Sequence, residues 1–280
     1  MSQRRGGATF LLGVGAQKSG TAWMHRYLES SPQCDPGFRK EYHIWDGLDL
    51  PSGRLVRQRI EAQAHRPDAG ESERRRWGFY EDPESYFDYF AGLLEAPQVR
   101  LTADITPAYA LLDSERLRMI RDAMVQRAVR PVTVYLMRDP VERVWSAVRM
   151  DIRRKGIEKP GAAEHRLKVM ADDDQYAIRT RYDLTMDRLE GAFGRESVFY
   201  GFYETLFDRS TLADLCAFLG IDFHEPDLSR QVNVSPKGDG DLSDETMRRV
   251  ARGFAPVYAA VAARFPSIDL PTLWPSMRYL

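Results

Sequence analysis

Short apolar runs alternate with amphipathic stretches along most of the 280-residue chain. The clearest run, residues 9–14, stops at glycines, which is typical of a strand buried on both faces of a parallel sheet. A helix is expected from residue 21 to about residue 29. A second β-rich run at 131–137 precedes helical spacing over 140–153, with proline in the first turn. The pattern therefore predicts two strand-loop-helix units.

Weaker patterns complete the predicted fold. They indicate strands at 100–104 and 197–200 and helices over 114–127, 175–193 and 243–264. Strands that alternate with helices favour a three-layer α/β fold of P-loop-like type, with a central parallel sheet flanked by helices. The polar stretch around 50–95 departs from this rhythm and is interpreted as a helical or loop insertion on the acceptor side. We expect one domain over residues 1–280, with an exposed loop at 231–241.

Composition excludes several classes of partner. The 40 basic residues nearly cancel the 41 acidic ones, so there is no bulk charge for binding nucleic acid or an anionic membrane. Only two cysteines occur, Cys34 and Cys216, and neither has the spacing of a metal site or a disulfide framework. The apolar run near the start of the sequence, residues 9–15, is far shorter than the roughly 20 residues that a membrane-spanning helix needs. We expect a soluble, cytoplasmic protein and leave its oligomeric state open.

The first candidate site is the glycine-rich turn from Gly15 to Thr21. A strand that leads through glycines into a helix gathers backbone N–H groups and the positive helix end around an anion. Nucleoside triphosphatases place lysine directly after the second glycine, whereas here Lys18 precedes Gly20 by two positions. The expected donors to the anion are Lys18, Ser19, Gly20, Thr21 and Ala22. On this loop alone, a simple strand-helix turn with a solvated lysine remains an equal alternative.

The second candidate site follows the second strongly predicted strand. Arg138 ends that strand and can fork two N–H groups onto a phosphate, and Ser146 can add a hydroxyl from the following helix. The alternative makes Arg138 an ion-pair partner of Asp139 and Ser146 an ordinary helix residue. The pairing of this unit with the first favours a second phosphate site.

With both units in view, the chain resembles the family of sulfotransferases that use 3′-phosphoadenosine 5′-phosphosulfate (PAPS). Residues 15–23 resemble its 5′-phosphosulfate loop, and residues 138–146 resemble its 3′-phosphate motif. Residues 40–46 and the block Thr106-Pro107-Ala108-Tyr109 are similar to segments of the heparan sulfate sulfotransferase branch. Residues 218–220 and 233–238 resemble the family's final blocks.

The resemblance implies a PAPS donor, 3′-phosphoadenosine 5′-phosphate as product, and no metal. Residues 18–22 would hold the phosphosulfate, Arg138 and Ser146 the 3′-phosphate, and Lys237 with Gly238 a lid over the nucleotide. The acceptor would be a hydroxyl or amine of a small molecule or saccharide. Asp104-Ile105 stands where heparan-type enzymes carry a charged pair, so a polysaccharide acceptor does not follow from the resemblance.

The implied reaction is an in-line displacement at sulfur. Glu41 is the candidate base, and Lys18 is the candidate cation at the leaving oxygen. Lys40, His43 and Asp46 are candidate acceptor-binding residues. His43 could also serve as a substitute base, and Asp46 could hold His43. The plain alternatives are a surface carboxylate at Glu41 paired with Lys40, and a half-buried ring at His43.

Two other functions stay open. One is a P-loop nucleotide kinase or phosphotransferase with Asp104 as a magnesium ligand; the position of the lysine in the loop argues against it. The other is a sulfonucleotide-binding protein that has lost transfer activity; the presence of Lys18 and Glu41 argues against it.

Overall fold

The computed structural model describes residues 7–156, 164–167, 177–228 and 242–280. The predicted lid residues Lys237 and Gly238, and the predicted loop at 231–241, lie outside these ranges. The strands are β1 (Thr9–Gly15), β2 (Cys34–Asp35), β3 (Leu101–Ile105), β4 (Arg130–Met137) and β5 (Val198–Phe202).

The five strands form one parallel sheet in the order β2-β3-β1-β4-β5. The central strand β1 pairs with β3 on one side and with β4 on the other. From β1 the chain runs to the edge strand β2, returns to β3 beside β1, and then crosses to β4 and β5 on the other side. The carboxyl ends of β1 and β4 therefore flank the point where the strand order reverses, which is where open α/β sheets bind ligands.

Helices cover both faces of the sheet and confirm the predicted three-layer α/β fold. Along β1, Leu11 packs in the core on one face, and Phe10, Leu12 and Val14 pack in the larger core on the other face. Alternate side chains of a strand point to opposite faces, so burial on both sides requires the unbroken apolar run of this segment.

The helices before the second phosphate motif are α1 (Thr21–Glu29), α2 (Trp45–Asp49), α3 (Arg54–Ala64), α4 (Glu71–Glu81), α5 (Pro83–Leu93) and α6 (Ser114–Gln126). The helix α7 (Pro140–Lys155) contains that motif, and the later helices span Tyr182–Phe193, Arg209–Leu219, Asp244–Gly253, Ala255–Arg264 and Leu270–Leu273. Short 3₁₀ turns occur at Pro51–Gly53, Pro107–Leu111, Ile178–Thr180, Arg195–Ser197, Tyr203–Thr205 and Pro275–Tyr279.

Three expectations need correction. The predicted helix over 243–264 is two helices that meet at Phe254, because Pro256 has no N–H to donate to an earlier carbonyl. In the predicted helix over 175–193, residues 175 and 176 lie outside the described ranges, and a 3₁₀ turn at Ile178–Thr180 separates the helical residue Ala177 from the helix Tyr182–Phe193. The two-residue strand β2 was not predicted, since two residues carry no alternation to detect.

The polar stretch around 50–95 forms the helices α3, α4 and α5 outside the sheet. Most of its aromatic side chains are buried in the larger core, and Trp77 and Tyr89 are partly buried against it. Several of the rings pack edge to face, with Tyr86 and Phe90 4.8 Å apart between ring centroids. They therefore pack these helices against the sheet instead of forming an open wall.

Candidate active site

Segments that follow all five strands meet at the carboxyl edge of the sheet around a cavity of about 520 Å³. This volume lies within the usual range for ligand sites, roughly 300–1,000 Å³. The cavity is lined by Gln17, Lys18, Gly20, Thr21, Ala22, Trp23, Lys40, Glu41, Pro107, Arg138, Ser146, Met150, Arg154, Tyr203, Phe207 and Leu228. Both predicted phosphate motifs and the first residues of the 40–46 segment thus face one space.

The turn between β1 and α1 depends on left-handed backbone. Lys18 has φ 73° and Gly20 has φ 90°. Glycine adopts a positive φ without steric cost because it has no Cβ. A Cβ on Gly20 would lie 2.5 Å from Leu206 Cδ2. Gly20 therefore lets α1 begin directly against the loop after β5, with the first N–H groups of the helix without helical partners.

Lys18 carries a depressed pKa. Burial lowers the pKa of its ammonium from 10.5 to about 8, and the positive charges of Arg153, Arg138 and Arg149 add to the effect. Several cations this close together repel one another, and an anion bound among them would offset that repulsion.

Ser19 is placed differently from its neighbours. Its N–H donates to the Ala16 carbonyl at 3.2 Å, its side chain is fully buried, and it is not among the lining residues. Its Oγ has no hydrogen-bond partner within the described part of the chain. The predicted donor role of the Ser19 N–H is therefore already taken inside the turn, and only the hydroxyl remains available.

Arg138 joins the two phosphate motifs. It donates from Nη1 to the Lys18 carbonyl at 3.3 Å, and its guanidinium carbon lies 4.3 Å from the Tyr203 ring centroid. Its ion pair is with Glu142 at 3.1 Å, not with Asp139 as the plain alternative held. Ser146, two turns into α7, is buried and also lines the cavity.

Asp139 instead caps α7. Its Oδ1 accepts from the Val141 N–H at 3.0 Å and from the Ser276 hydroxyl at 2.5 Å, and its own N–H donates to Glu204 at 2.9 Å. Glu204 also accepts from Trp274 Nε1 at 3.2 Å. A capped helix start and the C-terminal turn thus hold the Arg138 loop in place.

At another part of the cavity, where Glu41 lines it, Glu41, His43 and Asp46 form a chain of hydrogen bonds. His43 Nε2 lies 3.2 Å from Glu41 Oε2, and His43 Nδ1 lies 2.8 Å from Asp46 Oδ2. Lys40 Nζ lies 2.5 Å from Glu41 Oε1. Only Lys40 and Glu41 line the cavity; His43 is behind Glu41, and Asp46 is 2% exposed.

This chain fixes the charges of its members. Burial opposes ionisation of Glu41, but hydrogen bonding to His43 and the charge of Lys40 hold its pKa at about 2. Burial also opposes protonation of His43, but its bonds to Asp46 and Glu41 raise its pKa to about 9. At neutral pH, a carboxylate therefore faces the cavity with an imidazolium behind it.

Buried groups hold this segment from below. Arg76, 5% exposed, donates from Nε to the Tyr42 carbonyl at 2.7 Å and from Nη2 to the Glu41 carbonyl at 3.2 Å. Tyr80 donates its hydroxyl to the His43 carbonyl.

The sequence reasoning missed an aromatic part of the cavity. Trp23 and Phe207 meet edge to face with centroids 5.0 Å apart, and Tyr203 lies beside Phe207. Tyr203 and Phe207 follow β5, so the rule that sites form beyond the carboxyl ends of parallel strands could have identified them. Arg154 was also missed; it lies two turns beyond Ser146 on the same side of α7.

Within the described residues, no helix is long and apolar enough to cross a membrane. In the same ranges, no group of three or more His, Cys, Asp or Glu side chains is arranged to hold a metal ion.

Comparison with solved structures shows which proteins have a similar fold. The chain is similar to a crystal structure of a sulfotransferase from Alicyclobacillus acidocaldarius, with 21% identity and a TM-score of 0.63 over 94% of this chain and 96% of that one. Mouse sulfotransferase SULT7A1 complexed with PAP aligns with 16% identity and a TM-score of 0.45 over 99% of this chain and 90% of that one. The sulfotransferase domain of the Synechococcus PCC 7002 olefin synthase aligns with 19% identity and a TM-score of 0.45, over 91% and 96%.

No curated protein sequence matches the chain. The sequence profile of the sulfotransferase family, however, matches residues 11–225, which include both strand-loop-helix units and the 40–46 segment. The chain therefore belongs to the sulfotransferase family.

Proposed function

We propose that the protein transfers a sulfuryl group from PAPS to a hydroxyl or amine of a small-molecule or saccharide acceptor. The observation that carries this proposal is one cavity lined by Lys18, Arg138 and the ionised Glu41. The two cations suit an anionic donor, and the carboxylate suits the proton of an acceptor.

Several features support a sulfonucleotide as the donor. The buried, unpartnered Ser19 hydroxyl, the cation-crowded Lys18 and the left-handed turn at Gly20 fit a phosphosulfate at the start of α1. Arg138 and Ser146 line the same cavity and would hold a second phosphate. The aromatic rings of Trp23, Tyr203 and Phe207 offer faces on which a purine can stack.

When bound, PAPS supplies the sulfuryl group and a phosphate leaving group. Lys18 would neutralise the negative charge that develops on the leaving oxygen. Glu41 would accept the acceptor's proton, and the protonated His43, itself held by Asp46, would keep the Glu41 carboxylate oriented. An anion in the cavity would compete for Lys40, and loss of that ion pair would raise the pKa of Glu41 and make it a better base.

The kinase alternative has little support from the position of Asp104. Its carboxylate is fully buried and accepts hydrogen bonds from Tyr86, Thr106 and Tyr109. It does not line the cavity and has no direction from which to bind hydrated magnesium. A binding protein without transfer activity is an outcome that the following experiment distinguishes.

The test begins with calorimetric titration of 3′,5′-ADP and, separately, ATP. We expect sub-millimolar binding of 3′,5′-ADP; binding of ATP alone would refute the proposal. Accurate-mass screening of alcohols, phenols and amines incubated with PAPS should then find a sulfated product. Absence of any product despite tight 3′,5′-ADP binding would favour the non-catalytic alternative.

Glu41→Gln tests the base in the same assays. It should retain 3′,5′-ADP binding and reduce kcat by roughly 10²–10⁴-fold, because the amide cannot accept a proton. Glu29→Gln, at the exposed end of α1 and outside the cavity, makes the same chemical change and should leave kcat unaltered. Turnover of Glu41→Gln at the wild-type rate would remove Glu41 from the mechanism.

A further inference from the structure

Asp104, at the end of β3, is a fully buried carboxylate to which three hydroxyl groups donate. Thr106 Oγ1 donates to Oδ1 at 2.6 Å, and Tyr86 and Tyr109 each donate to Oδ2 at 2.9 Å. Burial raises the pKa of Asp104 to about 6, although the three hydroxyls counteract this effect. The carboxylate is therefore ionised at neutral pH and can only accept hydrogen bonds.

Because their protons point at Asp104, the hydroxyl oxygens can accept from other donors. The Tyr42 N–H donates to Thr106 Oγ1 at 3.0 Å, and the Ile44 N–H donates to Tyr109 Oη at 3.1 Å. Both contacts are buried and join segments more than 60 residues apart in the chain. The two N–H groups stand immediately before and after His43.

His43 needs such support because its backbone is left-handed, with φ 57°. A non-glycine residue adopts this conformation only where its surroundings impose it. The bond at Ile44 fixes the peptide group that follows His43, and the bond at Tyr42 fixes the peptide group between Glu41 and Tyr42. The His43 ring then reaches both Glu41 and Asp46.

We propose that Asp104 is a positioning residue that acts through Thr106 and Tyr109 to hold the backbone around His43, and so sets the arrangement of Glu41, His43 and Asp46. Asp104 does not contact the cavity. Its effect on turnover rests on the proposed function, since it requires Glu41 to serve the acceptor. Its effect on the geometry of His43 does not depend on the proposed function.

Two tyrosines provide a matched pair of variants. Tyr109→Phe and Tyr86→Phe each remove one hydroxyl from the same oxygen of Asp104, at the same distance, from a fully buried ring. Only the Tyr109 hydroxyl also accepts from the Ile44 N–H. A general loss of packing or charge balance would affect both variants, whereas loss of positioning would affect Tyr109→Phe alone.

The first measurement is an NMR titration of the His43 imidazole, which is one of only five histidines in the chain. The ionisable groups around it, Lys40, Glu41, Asp46 and Asp104, are the same in both variants. Tyr109→Phe should lower the His43 pKa by about one unit, because the ring loses its fixed approach to the two carboxylates. Tyr86→Phe should leave it within error of the wild type. Equal shifts in the two variants, or none in Tyr109→Phe, would overturn the proposal.

The second measurement uses Thr106. Thr106→Val removes the acceptor for the Tyr42 N–H, and Thr106→Ser restores a hydroxyl in its place. With the acceptor found by the mass screen, Thr106→Val should reduce kcat about tenfold or more while 3′,5′-ADP affinity stays at the wild-type value, and Thr106→Ser should recover most of kcat. A fall in nucleotide affinity equal to the fall in kcat, or no recovery in Thr106→Ser, would contradict positioning.

The two hypotheses can fail separately. If the wild-type protein bound no 3′,5′-ADP and made no sulfated product, the proposed function would fail. The His43 titration of Tyr109→Phe against Tyr86→Phe would still decide whether Asp104 positions this segment.

Discussion

At the residue scale, Lys18 is a cation held in a position that disfavours its charge. Burial and four arginines lower its pKa to about 8, so the free protein begins to lose this charge just above neutral pH. An anion in the cavity reverses the balance, because it stabilises the protonated form. Binding of a phosphate ligand and protonation of Lys18 are therefore linked.

We predict that affinity for 3′,5′-ADP falls as the pH rises through 8. The protonated Lys18 is the binding form, and above its pKa that form declines by roughly tenfold per pH unit. Calorimetric titration between pH 7 and 9.5 measures the effect. Lys18→Ala should bind more weakly at every pH and show a nearly flat profile over this range; a slope as steep as that of the wild type would assign the titration to another group.

The sequence pointed to Lys18 and Arg138 through local patterns and to Glu41 through the family resemblance, and all three line the cavity. It could not predict how Glu41, His43 and Asp46 meet, because that geometry depends on the left-handed φ of His43. Nothing near His43 in the chain dictates this φ; the surrounding backbone is hydrogen-bonded to Arg76, Tyr80, Thr106 and Tyr109, all more than 30 residues away. A positioning role for Asp104 could not be predicted either, because its contact with Tyr109 leads to Ile44 only in the folded chain.

At the scale of elements, the turn from β1 to α1 is under the strictest steric limits. Gly20 starts the helix at φ 90° and is in close contact with the loop after β5. The same residue thus satisfies the backbone geometry and the packing between two loops that line the cavity.

We predict that Gly20→Ala destabilises the protein by about 1–3 kcal/mol, because alanine is strained at positive φ and its Cβ would overlap the buried Leu206. Gly78→Ala is the matched control. Gly78 lies inside α4 with no atom within 4 Å of an added Cβ, so alanine should stabilise by about 0.5–1 kcal/mol. Urea denaturation measures both; equal effects would show that steric fit at Gly20 is unimportant.

Elements with long apolar runs or a clear helix start could be predicted from the sequence, whereas short elements could not. β1 and β4 are buried on both faces, which leaves long apolar runs, and α7 has proline and a capping aspartate at its start. β2 has only two residues, and its place beside β3 comes from tertiary packing. Tyr203 and Phe207 were missed because β5 is short and the loop after it has no motif of its own.

At the scale of the whole molecule, the cavity collects residues from Gln17 to Leu228. They come from the segments that follow all five strands, including the helix α7. A ligand that contacts several of these segments should therefore stabilise the folded protein as a unit instead of one segment of it.

We predict that 3′,5′-ADP at about 100 times its Kd raises the free energy of unfolding by about 2.7 kcal/mol, as linkage requires of a ligand that binds only the folded state. Urea denaturation with and without ligand measures this. The denaturant slope should stay unchanged, since the same surface is exposed on unfolding. ATP at the same concentration should give a clearly smaller effect; equal stabilisation by ATP would mean that the 3′-phosphate is not recognised.

The contacts of Asp139 with Ser276 and of Glu204 with Trp274 set an order of events during synthesis. A ribosome adds roughly 5–20 residues per second, starting at the N-terminus. All five strands and both predicted phosphate motifs would have emerged well before Trp274, yet the Arg138 loop would still lack its contact with Ser276 and the support that Trp274 gives through Glu204. The cavity would thus be completed as one of the last steps of the protein's own production, and a chain cut short before residue 274 could build the sheet without the final support of this loop.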